Sequence, residues 1–212
     1  MLLAKGDTLL FIGDSITDAG RNQPVGGHSL SSLGTGYVYF LGALLDARVP
    51  ELAIKVLNTG RSGNTVRDLA GRWQTDVIDL KPIVLGIMIG TNDVWRQFDD
   101  PKNPNASVLP EEYRDTLDHL VELTKPKVKE ILLMTPFYIE PDEGEPMRAR
   151  MDEYGRLVRA VAKKHQTRFL DIQAVYNRLL QTQHSSAIGW DRVHPNAAGH
   201  MAMALAVYES LE

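Results

Sequence analysis

The sequence predicts an α/β protein with a flavodoxin-like three-layer sandwich, in which about five parallel strands carry helices on both faces. Short apolar runs alternate with longer segments of helical spacing along the 212 residues. Residues 83–89 are apolar at nearly every position, which is typical of a central parallel strand covered on both faces. No low-complexity linker or internal repeat divides the chain, so we expect a single domain over residues 1–212.

Four elements are predicted before the central strand. Residues 8–12 form an apolar run that ends at a glycine and predicts the first strand. Residues 37–47 have helical spacing, and residues 54–57 alternate in polarity, as an edge strand does. Residues 65–80 predict a helix, since Asn64 or Thr65 stands where an N-cap is expected.

The second half of the chain repeats this alternation. Residues 110–124 open with a proline and two glutamates, which favours a helix start. The later elements are a buried strand, a long amphipathic helix, a short strand and two helices: residues 131–134, 145–165, 168–171, a segment ending near residue 180, and 197–211. Strands that alternate with helices favour right-handed crossovers and a mostly parallel sheet.

Four longer segments are expected to be irregular: residues 19–36, 94–109, 137–145 and 183–195. The first three follow the carboxyl ends of predicted strands, and the fourth precedes the last helix. Open parallel sheets bind ligands at the carboxyl ends of their strands. The sequence therefore predicts a functional site at that edge.

Composition excludes several classes of function. Lys and Arg total 23 and Asp and Glu total 27, so the formal charge of −4 gives no footprint for nucleic acid or for an anionic membrane. The chain has no cysteine, which excludes disulfides, cysteine-based metal sites and a thiol nucleophile. No spacing of His and carboxylates predicts a metal site, and we expect no cofactor. The N-terminus has no signal-peptide pattern, so we expect a cytoplasmic protein.

Residues 13–17 (GDSIT) place Ser15 on a tight turn at the end of the first strand. A serine there can be an exposed nucleophile whose own N–H binds an anion. Two other interpretations stay open at this point. Ser15 can cap the next helix, or Ser15, Thr17 and Gly20 can cradle a phosphate as in flavin proteins.

Asp191 stands three residues before His194 in a turn near the C-terminus. A carboxylate at this spacing can hold one imidazole nitrogen, which leaves the other nitrogen free to accept a proton from a hydroxyl. Pro195 keeps His194 out of the helical region and on the loop. Alternatively, Asp191 only caps backbone amides.

Two further turns offer donors for an oxyanion. Asn92 follows the third strand, where its side-chain N–H suits this task, although an Asx turn is the simpler alternative. Gly60 follows the second strand, and its backbone N–H can approach a substrate closely, although a plain turn glycine is the alternative. Together these turns supply a nucleophile, an oriented base, and three donors: the N–H of Ser15, the N–H of Gly60 and the Asn92 side chain.

The chain resembles the SGNH or GDSL hydrolases, whose four sequence blocks stand here in order from the first strand to the last helix. They are residues 13–15 (GDS), Gly60, residues 90–93 (GTND) and residues 191–194 (DRVH). The resemblance implies a catalytic triad of Ser15, His194 and Asp191, with Gly60 and Asn92 at oxyanion positions. An α/β-hydrolase is not indicated, because Ile16 and Thr17 follow Ser15 where Gly-x-Ser-x-Gly needs a glycine.

Within that family, four longer stretches resemble the intracellular acetylxylan esterases: residues 62–69, 92–97, 134–140 and 190–195. The resemblance implies a serine esterase that hydrolyses short-chain acetyl esters and deacetylates acetylated xylo-oligosaccharides. It also implies a homo-oligomer.

Aromatic side chains in the edge loops are candidates for stacking on a sugar: Trp95, Phe98, Phe137, Tyr138 and Trp190. Polar neighbours such as Arg96, Gln97 and Asn64 can bond sugar hydroxyls, and Asp14 is expected to organise the turn around Ser15. The candidate substrate-binding set is Asp14, Asn64, Trp95, Arg96, Tyr138 and Trp190. The alternative is that the aromatic residues pack the loops or a subunit interface.

Other functions are retained as alternatives. A lipolytic esterase, lysophospholipase or thioesterase shares the chemistry but needs room for a long acyl chain, and no extended apolar lid is visible. A flavodoxin-like flavin or phosphate binder, or a catalytically silent carbohydrate-binding scaffold, shares the fold. His28 and His184 lie in loops near the site, whereas His200 is expected to pack or bond locally rather than react.

Overall fold

The computed structural model describes residues 2–22, 25, 30–103 and 106–212. Within these residues, five parallel strands form a sheet in the order β2-β1-β3-β4-β5. The strands are β1 (Thr8–Gly13), β2 (Lys55–Asn58), β3 (Val84–Met88), β4 (Glu130–Met134) and β5 (Arg168–Leu170). This order is that of the flavodoxin-like sheets and confirms the predicted fold class.

Helices cover both faces of the sheet. They are α1 (Ser15–Asp18), α2 (Tyr37–Arg48), α3 (Val66–Trp73), α4 (Thr91–Asp99), α5 (Pro110–Thr124), α6 (Pro146–His165), α7 (Ile172–Leu180), α8 (Ser185–Ile188) and α9 (Ala197–Leu211). Apolar residues of α2, α7 and α9 pack on one face, and those of α3, α5 and α6 on the other.

Alternation along β1 explains how one strand serves both cores. Leu10 and Ile12 point toward α3 and α5, while Leu9 and Phe11 point toward α2 and α9. All four side chains are fully buried. The β1 strand pairs with β2 on one side and β3 on the other, so its carboxyl end, next to Ser15, lies in the middle of the sheet edge.

Residues 94–109 were expected to be irregular, and the first part of that expectation is wrong. Helix α4 runs through Asp99, because Val94 is fully buried and Trp95 packs partly against the same core. The remainder of the segment lies outside any described helix, with residues 104 and 105 outside the described residues. Similarly, the segment 183–195 contains the short helix α8.

The helix predicted over residues 65–80 is present but is not uniform. Helix α3 is followed by a wider π-type turn over Gln74–Ile78. The Thr75 hydroxyl donates to the Arg72 carbonyl at 3.1 Å, so a side chain takes up a carbonyl at the point where the helix widens. By contrast, α5 and α9 have the bounds that the sequence predicts.

Candidate active site

The carboxyl edge of the sheet gathers the turns that the sequence singled out. Ser15 begins α1 directly after β1, and Asn92 lies in the first turn of α4 after β3. The turn over residues 61–64 follows β2. The segment between α8 and α9 brings His194 to the same place, 179 residues after Ser15 in the chain.

Ser15 and His194 are in hydrogen-bond contact. The Oγ atom of Ser15 lies 2.8 Å from Nε2 of His194. Asp14 caps α1 by accepting the Ile16 N–H at 3.0 Å, so the capping role is taken by Asp14 rather than by Ser15. A serine hydroxyl against an imidazole nitrogen is the pair that base-assisted attack requires, and it favours a nucleophile over a phosphate loop.

Asp191 holds the other side of the imidazole. Its Oδ2 lies 2.6 Å from Nδ1 of His194, while its Oδ1 accepts the backbone N–H groups of Val193 and His194 at 3.0 and 2.8 Å. Burial acts to raise the pKa of Asp191, but the hydrogen bonds from the His194 ring and the two amides outweigh it, and the pKa is lowered. Asp191 therefore stays ionised and fixes the tautomer and direction of the ring. The backbone-capping alternative is also present, on the second carboxylate oxygen.

Arg192 supports the loop that carries Asp191 and His194, and no role was assigned to it from the sequence. Arg192 has a left-handed backbone with φ of 63°, a conformation that costs about 1 kcal/mol in a non-glycine residue. Its guanidinium bonds Glu140 Oε2 at 2.6 Å and lies 5.1 Å from the centre of the Tyr138 ring. Its carbonyl also accepts the Ile139 N–H at 2.8 Å. These contacts hold the strained turn between Asp191 and His194.

Two of the three expected oxyanion donors are available. The backbone N–H of Ser15 donates to no acceptor in the described part of the chain. Residue Asn92 is 4 % exposed, and its side chain donates one amide hydrogen to the Asn64 carbonyl at 3.0 Å. Its second amide hydrogen is left for a ligand. Asn92 is thereby fixed against the turn over residues 61–64.

The expectation for Gly60 is wrong. Its backbone N–H already donates to Oδ1 of Asn58 at 2.8 Å inside the protein, so it is not free for an oxyanion. Gly60 is needed for close packing instead, because a Cβ atom there would lie 2.3 Å from the backbone nitrogen of Asp18. Three residues on, Gly63 is exposed, has φ of 82°, and its N–H has no acceptor in the residues that the structure describes. The only sequence signal for Gly63 is its place as the second glycine of the turn after β2, next to Asn64.

Two buried carboxyl groups lie behind these turns. Asp14 and Asp93 are 1 % and 0 % exposed. Burial raises the pKa of Asp14 to about 6 against the opposing effects of the Ile16 amide and the His194 charge. Burial also raises the pKa of Asp93 to about 8, although its Oδ1 accepts the Val66 N–H at 3.0 Å. Asp93 thus joins the starts of α3 and α4 mainly as a neutral acid.

The structure divides the candidate substrate-binding residues. Asp14 and Tyr138 were expected to bind substrate, but both are buried. Asp14 caps α1, and Tyr138 is 5 % exposed and lies beneath Arg192. Phe137 is likewise fully buried against Tyr176. Both aromatic residues belong to the apolar cores, because residues 137–139 continue inward after β4.

The four other candidates are exposed or partly exposed. The Trp95 ring lies 6.0 Å from the ring of His194, so it borders the reacting groups. Trp190 is 83 % exposed beside Asp191. Arg96 is partly exposed and pairs with Asp99 at 2.5 Å. Asn64 is also partly exposed, but its side chain accepts a hydrogen bond from Arg72.

A groove of about 480 Å³ lies next to the loop of Asp191. It is lined by polar side chains, including those of Glu140, His184, Ser186 and Arg192, and by the apolar side chains of Pro141, Leu180 and Trp190. His184 lines this groove, whereas His28 lies outside the described residues.

His200 makes a local contact, as expected. Its Nδ1 accepts the Tyr37 N–H at 3.2 Å, and burial lowers its pKa to about 4. In the described part of the chain, no group of His and carboxylate side chains is arranged to hold a metal ion. None of the described helices is both long and apolar enough to span a membrane.

Comparisons with known proteins identify relatives over almost the whole chain. A model of the GDSL-like lipase/acylhydrolase family matches residues 11–202. An acetylxylan esterase of Geobacillus stearothermophilus is 54 % identical over 206 residues, which are 97 % of this chain and 94 % of the relative. The crystal structure of that esterase has a TM-score of 0.97 at 53 % identity and covers 100 % of this chain and 96 % of its own.

Further matches include catalytic mutants of the same Geobacillus esterase, in which a serine, a histidine or an aspartate is replaced by alanine, each with a TM-score of 0.98 at 53 % identity and with the same coverage. An α/β-hydrolase enzyme from the metagenome of Lake Arreo has a TM-score of 0.97 at 51 % identity, covering 100 % of this chain and 97 % of its own. The chain belongs to the GDSL-like lipase/acylhydrolase family, and it is a carboxylic ester hydrolase with the SGNH hydrolase fold.

Proposed function

We propose that the protein is a serine esterase that removes acetyl groups from acetylated xylo-oligosaccharides through an acyl-enzyme on Ser15. The observation that carries this proposal is the continuous hydrogen-bonded series from Ser15 through His194 to Asp191. The likeness to an acetylxylan esterase over 97 % of the chain supports the choice of acyl group and alcohol.

In the first half-reaction, Ser15 Oγ attacks the acetyl carbonyl carbon while His194 Nε2 takes the hydroxyl proton. The carbonyl π electrons move to oxygen and give a tetrahedral oxyanion. When this species collapses, the C–O bond to the sugar breaks and His194 returns the proton to the leaving alkoxide. Asp191, which stays ionised, stabilises the imidazolium that forms in between.

In the second half-reaction, water takes the place of the sugar hydroxyl. His194 removes a proton from water as the water oxygen attacks the acetyl-enzyme carbonyl. His194 then protonates Ser15 Oγ as acetic acid leaves, and the acid ionises to acetate in solution. Each half-reaction thus passes through an oxyanion at the same position. The proposed donors are the Ser15 N–H, the Asn92 side chain and the Gly63 N–H, which replaces the one expected from Gly60.

The proposed sugar site combines Trp95 beside the His194 ring with the groove next to Trp190. Indole faces suit sugar rings, and the polar side chains of the groove can form hydrogen bonds with sugar hydroxyls. Because the ligand is neutral, its binding does not require a surface of opposite charge. Trp95 also limits the space near the reacting atoms, which favours an acetyl group over a long acyl chain.

The decisive experiment compares the wild-type protein with Ser15→Ala on acetylated xylo-oligosaccharides and on p-nitrophenyl acetate. We expect the variant to lose activity by at least about 10⁴-fold while its circular dichroism spectrum is unchanged. Ser210→Ala, in the last turn of α9, is the matched control and should retain activity. Full activity of Ser15→Ala would overturn the proposed mechanism.

A second measurement tests the substrate. Acyl esters of increasing chain length should be hydrolysed with falling kcat/KM, and acetylated xylo-oligosaccharides should be better substrates than simple acetyl esters. Preference for an octanoyl ester would instead favour a lipolytic esterase or thioesterase. Trp95→Ala should relax the preference for acetyl.

We further propose that the protein is a homo-oligomer in the cytoplasm. Phe98 and Leu109, which are 41 % and 60 % exposed, are large apolar side chains that a subunit interface would cover. Light scattering tests the assembly, and a monomeric mass at micromolar concentration would overturn it. Recovery of the native protein in the cytosolic fraction tests the compartment, and recovery in the culture medium would overturn it.

A further inference from the structure

Arg72 is a buried cation on α3 that the proposed chemistry does not use. It is 9 % exposed, and its guanidinium makes four hydrogen bonds. Nε donates to Asn64 Oδ1 at 2.7 Å, Nη1 to the Thr59 carbonyl and to Asp76 Oδ2, both at 2.6 Å, and Nη2 to the Gly13 carbonyl at 3.1 Å. Three of these acceptors lie outside α3 and the turn that follows it.

The three acceptors belong to the segments that carry the oxyanion donors. Gly13 ends β1, two residues before Ser15, and Thr59 follows the end of β2. Asn64 lies next to Gly63, and its carbonyl accepts the Asn92 side chain. One rigid guanidinium therefore connects the turn of Ser15 with the turn that holds Asn92.

A second set of hydrogen bonds holds the same turn. Asp18 Oδ2 accepts both the N–H and the hydroxyl of Ser62, at 3.0 and 3.1 Å. The Arg61 N–H donates to the Gly13 carbonyl at 3.0 Å, so this carbonyl receives two hydrogen bonds. Residues 61–64 are exposed or only partly buried, and these contacts, rather than core packing, must set their position.

We propose that Arg72 is a positioning residue that fixes the oxyanion-binding groups of Ser15, Gly63 and Asn92 relative to one another. The inference rests on the proposed serine esterase function. A stabilising ion pair alone needs only Asp76, four residues along the chain, and does not account for bonds to Gly13, Thr59 and Asn64. Arginine is suited to this role because its planar fork holds several acceptors in fixed directions, whereas lysine presents a single point charge.

The test is Arg72→Lys, which keeps the charge for Asp76 but cannot span the other acceptors. With p-nitrophenyl acetate, we expect kcat to fall by about 30-fold or more and KM to change less than about threefold. The reason is that misplaced hydrogen-bond donors stabilise the transition state less, while they affect substrate binding little. The midpoint of the pH–rate profile should not move, since His194 and Asp191 are untouched. The inhibition constant of a boronic acid, which forms a tetrahedral adduct on serine, should rise in parallel with the loss of kcat/KM.

Arg168→Lys is the matched control for simple loss of stability. Arg168 begins β5 and, like Arg72, pairs with a carboxylate, that of Glu130, and donates to a backbone carbonyl, that of Ser210. The variant should lower the melting temperature and change kcat less than about threefold, because Glu130 and Arg168 stand at the amino ends of β4 and β5, away from the carboxyl edge of the sheet. Equal losses of kcat in Arg72→Lys and Arg168→Lys, or a kcat of Arg72→Lys within threefold of wild type, would overturn the inference.

Asn64→Ala provides a second route if Arg72→Lys does not fold. Asn64 lies in a partly exposed turn, and its side chain is the acceptor that links Arg72 to that turn. We expect kcat to fall by about threefold to tenfold with little change in KM. An unchanged kcat would overturn the inference, and so would a rise in KM alone, which would identify Asn64 as a substrate contact. Ser15→Ala is measured alongside: if it is active, the proposed function fails, whereas if it is inactive and Arg72→Lys is normal, only the role of Arg72 fails.

Discussion

The ring of His200 accepts a hydrogen bond from the backbone N–H of Tyr37 through its Nδ1 atom, at 3.2 Å. The acceptor role requires a neutral ring, and burial lowers the pKa of His200 to about 4, with the nearby His194 charge acting in the same direction. The unfolded chain takes up this proton near pH 6.5 and the folded protein only near pH 4. His200 therefore contributes stability that is fully present above pH 6.5 and is lost as the pH falls toward 4.

We accordingly expect the free energy of unfolding to fall by about 2–3 kcal/mol between pH 7 and pH 4.5 through His200. Urea unfolding at both pH values measures it. His200→Asn, which keeps an acceptor but does not titrate, should reduce this difference, whereas the exposed His119→Asn should not. An identical pH dependence in His200→Asn and wild type would contradict the prediction.

Asp191→Asn tests the orientation of the base. The amide can keep the contacts to the backbone N–H groups of Val193 and His194, but it removes the negative charge and can present an N–H to the His194 ring. We expect kcat to fall on the order of 10³-fold with a melting temperature within a few degrees of wild type. Steady-state kinetics on p-nitrophenyl acetate give the result. A kcat within tenfold of wild type would show that Asp191 is dispensable for the base.

Gly60→Ala and Gly63→Ala test whether close packing requires a glycine at residue 60 but not at residue 63. The Cβ at residue 60 would lie 2.3 Å from the backbone of Asp18, so we expect a loss of stability of at least about 2 kcal/mol. At residue 63 no atom lies within 4 Å of the added Cβ, and the cost is that of its φ of 82°, about 1 kcal/mol. Thermal unfolding ranks the two variants, and the reverse order would contradict the assignment.

Asp93→Asn tests the neutral buried acid. Because the pKa of Asp93 is raised to about 8, the wild-type protein loses stability as the pH rises from the unfolded value near 3.8 through 8. Asparagine can accept the Val66 N–H without titrating. We expect the variant to lose less stability than wild type between pH 6 and pH 9, measured by urea unfolding. The exposed Asp115→Asn is the control, and equally steep losses in both variants would refute the assignment.

The family and the fold class were predictable from the sequence because both depend on local patterns. The strand positions follow from short apolar runs between turn residues, and the triad candidates stand in compact motifs at residues 13–15 and 191–194. Helix α4 was missed because three of its four buried residues, Thr91, Asn92 and Asp93, are polar and are typical of a turn at a strand end. The helix depends on tertiary contacts, because Val94 and Trp95 pack against the folded core.

By itself, the sequence determined the α/β order of elements and the residue types for ester hydrolysis, since these lie in contiguous stretches whose chemistry does not depend on distant contacts. The tertiary structure decided which glycine amide is free, because Asn58 takes up that of Gly60, and which aromatic residues are accessible, because Tyr138 lies under Arg192 while Trp190 faces solvent. It also brought Arg72 to acceptors from two strand ends and a turn. Hydrogen bonds between segments far apart in the chain settle these questions, and no local pattern encodes them.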